Sequence, residues 1–71
     1  MEDNDWKYMW SITRGNKRGD IYNKAKEAGR WFDATYKVVL IEDDIEGETI
    51  EADAVDYCRL IAEDYVLEQP L

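Results

Sequence analysis

Residues 6–13, Trp-Lys-Tyr-Met-Trp-Ser-Ile-Thr, alternate between two sides. Trp6, Tyr8, Trp10 and Ile12 fall on one and Lys7, Met9, Ser11 and Thr13 on the other, the period of a strand. Trp6, Met9, Trp10 and Thr13 also fit a helical stripe. The two glycines of residues 14–19 mark a loop. Asp20 then has the chemistry of a helix N-cap. Ile21, Ala25, Ala28 and Phe32 follow at spacings of four, three and four, which predicts a helix. Gly29 either ends that helix or interrupts it at a cost of about 1 kcal/mol. Residues 35–42 form the clearest strand, and the unbroken run Val38-Val39-Leu40-Ile41 suggests cover on both faces. Residues 43–47 read as a turn and 48–52 as a short returning strand, together a hairpin. Asp53, with Asp56 three residues on, resembles a capping box. Val55, Cys58, Ile61, Ala62 and Tyr65 share one face of a second helix, and Pro70 stops the chain.

The order β-α-β-β-α predicts an α+β domain of two layers, an antiparallel or mixed sheet with both helices on one face. Residues 1–71 form a single domain, with 1–5 expected to be a flexible acidic tail. A chain of 71 residues draws roughly 3–5 kcal/mol of net stability from one core. No disulfide adds to it, because Cys58 is the only cysteine. The acidic start lacks a signal-peptide pattern, and the longest apolar run is far below a membrane span. With the lone cysteine, these features lead us to expect a cytoplasmic protein without membrane contact.

Charge changes the picture most. The net charge is −8, but residues 1–5 carry −3, residues 6–41 carry +5 and residues 42–71 carry −10. The acidic half is too rich in Ile, Val, Leu and Tyr to be a disordered tail. It is expected to fold and to hold its carboxylates in fixed positions.

Most chemistry is excluded by residue type. There is no histidine and Ser11 is the only serine, so neither a serine–histidine triad nor a cysteine–histidine pair exists. Cys58 on an apolar helix face reads as a core thiol, and paired carboxylates have little volume for a pocket in so short a chain. The chain is therefore not expected to be an enzyme or to hold a cofactor. Residues 42–53 loosely echo a calcium loop. Glutamates at its first and fifth places, and aspartate at its twelfth, depart from that pattern, so a solvated acidic hairpin is the simpler reading. Arg18-Gly19-Asp20 matches an adhesion tripeptide, but a loop ending in a helix cap explains the same residues.

Two binding surfaces remain. Arg14, Lys17 and Arg18, among glycines, could cradle phosphate, and Trp6, Tyr8 and Trp10 could stack bases, although large rings in so small a protein are needed for its core. Glu42, Asp44, Glu46 and Glu48 on the hairpin, with Asp53, Asp56, Glu63 and Asp64 on the last helix, could form one acidic surface. Their neighbours along helix or strand stand roughly 5–7 Å apart, near the charge spacing of a nucleic-acid strand. Such a surface would attract the basic groove of a nucleic-acid-binding protein, although acidity also serves solubility alone.

In size, acidity and aromatic content the whole chain is similar to small phage-encoded inhibitors, among them anti-CRISPR and anti-restriction proteins, several of which mimic nucleic acid. No motif carries that resemblance, so no functional residue transfers from it. The leading expectation is an inhibitor that presents the acidic surface to a basic nucleic-acid-binding protein. Val39 and Ile41, on the second face of their strand, are expected to be covered by a dimer mate or a partner. The alternatives are a nucleic-acid-binding accessory protein using the loop 14–18, and a structural or dimerisation module that contacts its mate through the strand Tyr36 to Ile41.

Overall fold

The computed structural model describes residues 6–25 and 34–68. The acidic tail 1–5, the positions Ala28, Gly29 and Phe32 of the expected first helix, and Pro70 lie outside the described residues. Four strands and one helix run in the order β1 (Lys7–Arg14), β2 (Lys17–Ala25), β3 (Ala34–Glu42), β4 (Ile45–Ala52) and α1 (Val55–Leu67). The strands form one antiparallel sheet in the order β1-β2-β3-β4.

The expected β-α-β-β-α order, with two helices on one face, is therefore corrected to β-β-β-β-α. Asp20 and Ile21 lie inside β2, not at a helix start. The spacing of Ile21 and Ala25 suits a helix, but Gly19, Ile21 and Asn23 also alternate with Asp20, Tyr22 and Lys24. Pairing along all of β3 settles the competition, with Ile21 opposite Val38 and Gly19 opposite Leu40. The loop expected over 14–19 shrinks to Gly15 and Asn16, with Arg14 opposite Lys17 and Gly15 at φ 62°. A two-residue hairpin needs such positive φ values. The second hairpin turns on Asp43 and Asp44, at φ 55° and 65°. Aspartate tolerates this region better than most residues. The returning strand consequently starts at Ile45, earlier than expected.

One face of the sheet packs against α1. Ile21, Val38, Leu40, Cys58 and Ala62 form the core, with Trp10, Ile12, Tyr36, Ile50, Val55, Ile61 and Tyr65 around it. The expected apolar face of the last helix is thus the one α1 buries. Gly19 permits the close approach, because a Cβ there would lie 2.6 Å from the Cβ of Ala62.

Val39 and Ile41 alternate away from α1, yet they are only 7 % and 3 % exposed. Ile41 lines a shallow hollow with Thr13, Arg18 and Asp44. The chain itself covers both side chains, so the expected cover by a dimer mate or a partner is not what buries them. Both edges of β3 are paired, to β2 and β4, which leaves that strand no open edge for a second copy.

Asp53 does not cap α1. The N-cap is Ala54, whose backbone is extended and whose side chain makes no capping hydrogen bond. Ala54→Ser is therefore expected to stabilise the fold by roughly 1 kcal/mol, read as an increase in the urea midpoint at unchanged slope.

Candidate functional site: the outward face of α1 and the open face of the sheet

The eight acids do not form one surface. A strand-like alternation of Glu42, Asp44, Glu46 and Glu48 is interrupted twice. The turn at Asp43–Asp44 reverses the chain, and a bulge puts Gly47 and Glu48 opposite the single residue Leu40. Glu42 stands opposite Lys17, on the α1 side of the sheet. Glu46 stands opposite Ile41, on the other side. The calcium-loop reading of 42–53 is overturned by the same geometry, since Ile45–Ala52 is a strand.

The basic loop is dispersed as well. Arg14 and Lys17 pair on the α1 side, and Arg18 lies opposite Thr13 on the other. Lys17 and Arg18 are drawn into contacts with the neighbouring helix end and acidic turn. The Asp43 amide donates to the Asn16 carbonyl at 2.9 Å, joining the two hairpin tips. Asn16 Nδ2 donates to Asp43 Oδ1 at 2.9 Å. Arg18 lies 3.0 Å from Asp20 and 3.8 Å from Asp44. The first contact is an ion pair without an aligned hydrogen bond. Lys17 Nζ donates to the Glu68 carbonyl at 3.3 Å and stands 5.0 Å from the Tyr65 ring centre. Arg18 and Asp20 of the adhesion-like tripeptide thus hold each other on a paired strand. Arg18 is thus paired with carboxylates where the basic tip meets the acidic one.

Asp56, Glu63 and Asp64 occupy the side of α1 turned away from the sheet, and Asp53 precedes the helix. Arg59 sits between Asp56 and Glu63 at 3.8 and 3.2 Å. The pattern of acids obscured a second feature of this helix. Tyr57, Leu60, Asp64 and Leu67 recur at three, four and three residues, one outward stripe. Its three large side chains are 56 %, 55 % and 54 % exposed.

The sheet face opposite α1 is also built differently from the alternation in β1. Met9 is an extra residue between the pairs Tyr8–Tyr22 and Trp10–Ile21. A one-residue bulge reverses the sides that follow it. Trp10 and Ile12 consequently enter the core, whereas Trp6 and Tyr8 join Tyr22, Lys24 and Lys37 on the open face. Lys37 Nζ is 4.6 Å from the Trp6 ring centre and 5.1 Å from that of Tyr22. Lys24 Nζ is 5.2 Å from Trp6. Tyr8 and Tyr22 meet edge to face at 5.7 Å. The Tyr8 hydroxyl and Ser11 Oγ are 2.6 Å apart, and Ser11 donates to Asp20 Oδ1 at 2.6 Å.

Burial, followed by the carboxylates of Asp20 and Glu46, raises the Tyr22 phenol above its ordinary value of 10.0. Burial, then Glu42, Glu68 and Asp43, raises Tyr65 likewise. Both hold their protons more tightly folded than unfolded, so their contribution to stability is complete below the ordinary phenol range. It is lost as pH rises through the folded-state values. Phenylalanine at both positions is expected to flatten the fall in melting temperature above pH 10, measured against the unsubstituted chain.

Burial also raises the Cys58 thiol, which keeps it protonated within the core. Among the described residues no group of three or more metal-ligating side chains gathers. Among them, too, no helix is long and apolar enough to cross a membrane. No protein-family model, curated protein or solved structure matches the chain.

Proposed function

We propose that the chain is a small cytoplasmic inhibitor that presents the outward face of α1 to a basic, nucleic-acid-binding protein. One observation carries this reading: the outward stripe of α1 and its last turn are built against the helix's own stability. Asp64 stands in the last turn, where the helix dipole favours cations, and that turn has no basic residue. Tyr57, Leu60 and Leu67 leave apolar surface in water along the same stripe. A helix needed only to cover the sheet would place cations and polar residues there. Both features become favourable against a partner that supplies Lys or Arg around an apolar contact.

Arg59 offsets part of the negative charge through Asp56 and Glu63, but Asp64 adds to it. The paired apolar and acidic character distinguishes this face from the hairpin tip, whose acids are met by Asn16 and Arg18. Inhibition follows if the basic surface that receives α1 is the one its owner uses for nucleic acid. The resemblance to anti-CRISPR and anti-restriction proteins in size and acidity supports the same direction.

The test is capture on the immobilised chain from a lysate of its source cells at low salt, followed by purification of what is held. The expected partner is released by added DNA or RNA, and its affinity falls steeply with salt. A partner that nucleic acid does not displace would contradict inhibition by mimicry. Affinity unchanged across the salt series would remove the acidic face as the contact.

A further inference from the structure

We infer that the open face of the sheet, around Trp6, Tyr8, Tyr22, Lys24 and Lys37, is a binding site for single-stranded nucleic acid. It lies on the side of the sheet opposite α1, so it stands independently of the function proposed for that helix.

The Met9 bulge brings Tyr8 of β1, and Trp6 just before that strand, to this face, although an unbroken alternation would have sent Trp6, Tyr8, Trp10 and Ile12 to one side. Tyr8 remains 58 % exposed there. Tyr22 offers a third ring beside it. The ammonium groups of Lys24 and Lys37 rest near the faces of Trp6 and Tyr22. These four residues are half-buried, and contacts of this kind between partly solvated groups are worth about 1 kcal/mol each. A lysine stem can therefore swing its charge from the ring to a phosphate while a base takes the ring face. The pairing of a stacking surface with mobile cations is what a single strand requires. A duplex keeps its bases stacked on one another and gives the rings nothing to hold.

The aromatic end of the face holds Lys24 and Lys37 together with two carboxylates, Glu51 opposite Lys37 in register and Asp20 beside Ser11 and Tyr22. Arg18 lies 3.0 Å from Asp20, which leaves the two lysines as the cations nearest the rings. Glu46 and Asp44 lie toward the other end, and the acids of α1 lie behind the sheet. This site is distinct from the loop 14–18, whose Arg18 and Lys17 are held by the neighbouring turn and helix end. Stacking tolerates any base, so binding is expected to be insensitive to sequence.

The test uses the full chain with fluorescently labelled dT20, U20 and a hairpin duplex, read by anisotropy at several salt concentrations. Both single strands are expected to bind more tightly than the duplex. The logarithm of affinity should fall with that of salt at a slope of roughly −1.4, for two phosphate contacts. Trp6→Ala is expected to weaken binding roughly tenfold. Lys24→Gln with Lys37→Gln should remove most of the salt dependence. Circular dichroism melts check that each variant folds, and Asp64→Lys on α1 should retain its preference for single strands over duplex and its sensitivity to Trp6→Ala. Absence of binding to either strand at low salt overturns the inference. So does equal binding of the duplex, equal binding of a poly-glutamate peptide, or affinity that folded Trp6→Ala leaves unchanged.

Discussion

Gly19→Ala is expected to destabilise the protein by about 1–3 kcal/mol, the range for overfilling a packed core. The added methyl would lie 2.6 Å from the Cβ of Ala62, 3.3 Å from its Cα and 3.4 Å from a methyl of Val38. The first two atoms belong to a helix held along much of its length, so they cannot yield as a flexible side-chain end would. A domain of this size has roughly 3–5 kcal/mol to lose, and each kcal/mol lowers its melting temperature by about 4–8 °C. Ala62→Gly in the same chain removes the 2.6 Å contact, leaving the one with the Cα, but weakens the helix by about 1 kcal/mol. The double variant is therefore expected to be more stable than the sum of the two single effects implies. Melts of the four chains measure this coupling, and strictly additive losses would contradict the close approach of β2 and α1.

The second large effect concerns binding with little change in folding. Tyr57 and Leu60 are more than half exposed, so replacing both with serine is expected to move stability by no more than about 0.5 kcal/mol. Partner affinity should fall more than tenfold, as exposed aromatic anchors do when truncated. Asp64→Lys sharpens the contrast. It relieves an acid at the negative end of α1 and should stabilise the fold by about 0.3–1 kcal/mol, while it weakens the partner complex. Opposite signs in the two measurements are what a residue retained for binding at the expense of stability produces. A loss of both stability and affinity would make Asp64 a structural residue.

Much of this arrangement was legible in the sequence, and the errors have identifiable causes. The strand containing Val38-Val39-Leu40-Ile41 and the buried face of α1 were readable because long apolar patterns admit few interpretations. Residues 17–25 were misread because Ile21 and Ala25 satisfy a helical spacing and an alternation at once. The Gly15-Asn16 pair was the available signal, since such a dipeptide between two alternating runs marks a two-residue hairpin.

The bulges were less accessible. Nothing in the spacing of Trp6, Tyr8, Trp10 and Ile12 announces that Met9 divides them between two faces. The alternate acids from Glu42 to Glu48 look like one line although a turn is expected within them, because the bulge at Gly47 and Glu48 is invisible to simple periodicity. The separation of the two charged halves was only partly legible. Composition divided the chain into basic and acidic segments, but pairing brings the basic tip beside the acidic turn and leaves α1 as the acidic face that stands apart. The stripe Tyr57, Leu60 and Leu67 was open to the same periodicity argument that found the buried face, applied to the other side of the helix.

The localisation of binding to α1 is tested most directly by two charge reversals of equal size. Asp56→Lys with Glu63→Lys alters the outward face of α1, and Glu46→Lys with Glu48→Lys alters the hairpin by the same formal charge. Affinity for the purified partner is measured by calorimetry at one salt concentration, with folding of each chain verified by its melt. The expected result is loss of binding in the α1 variant and near-normal binding in the hairpin variant. Equal loss in both would show that net charge, and not the face of α1, governs the interaction.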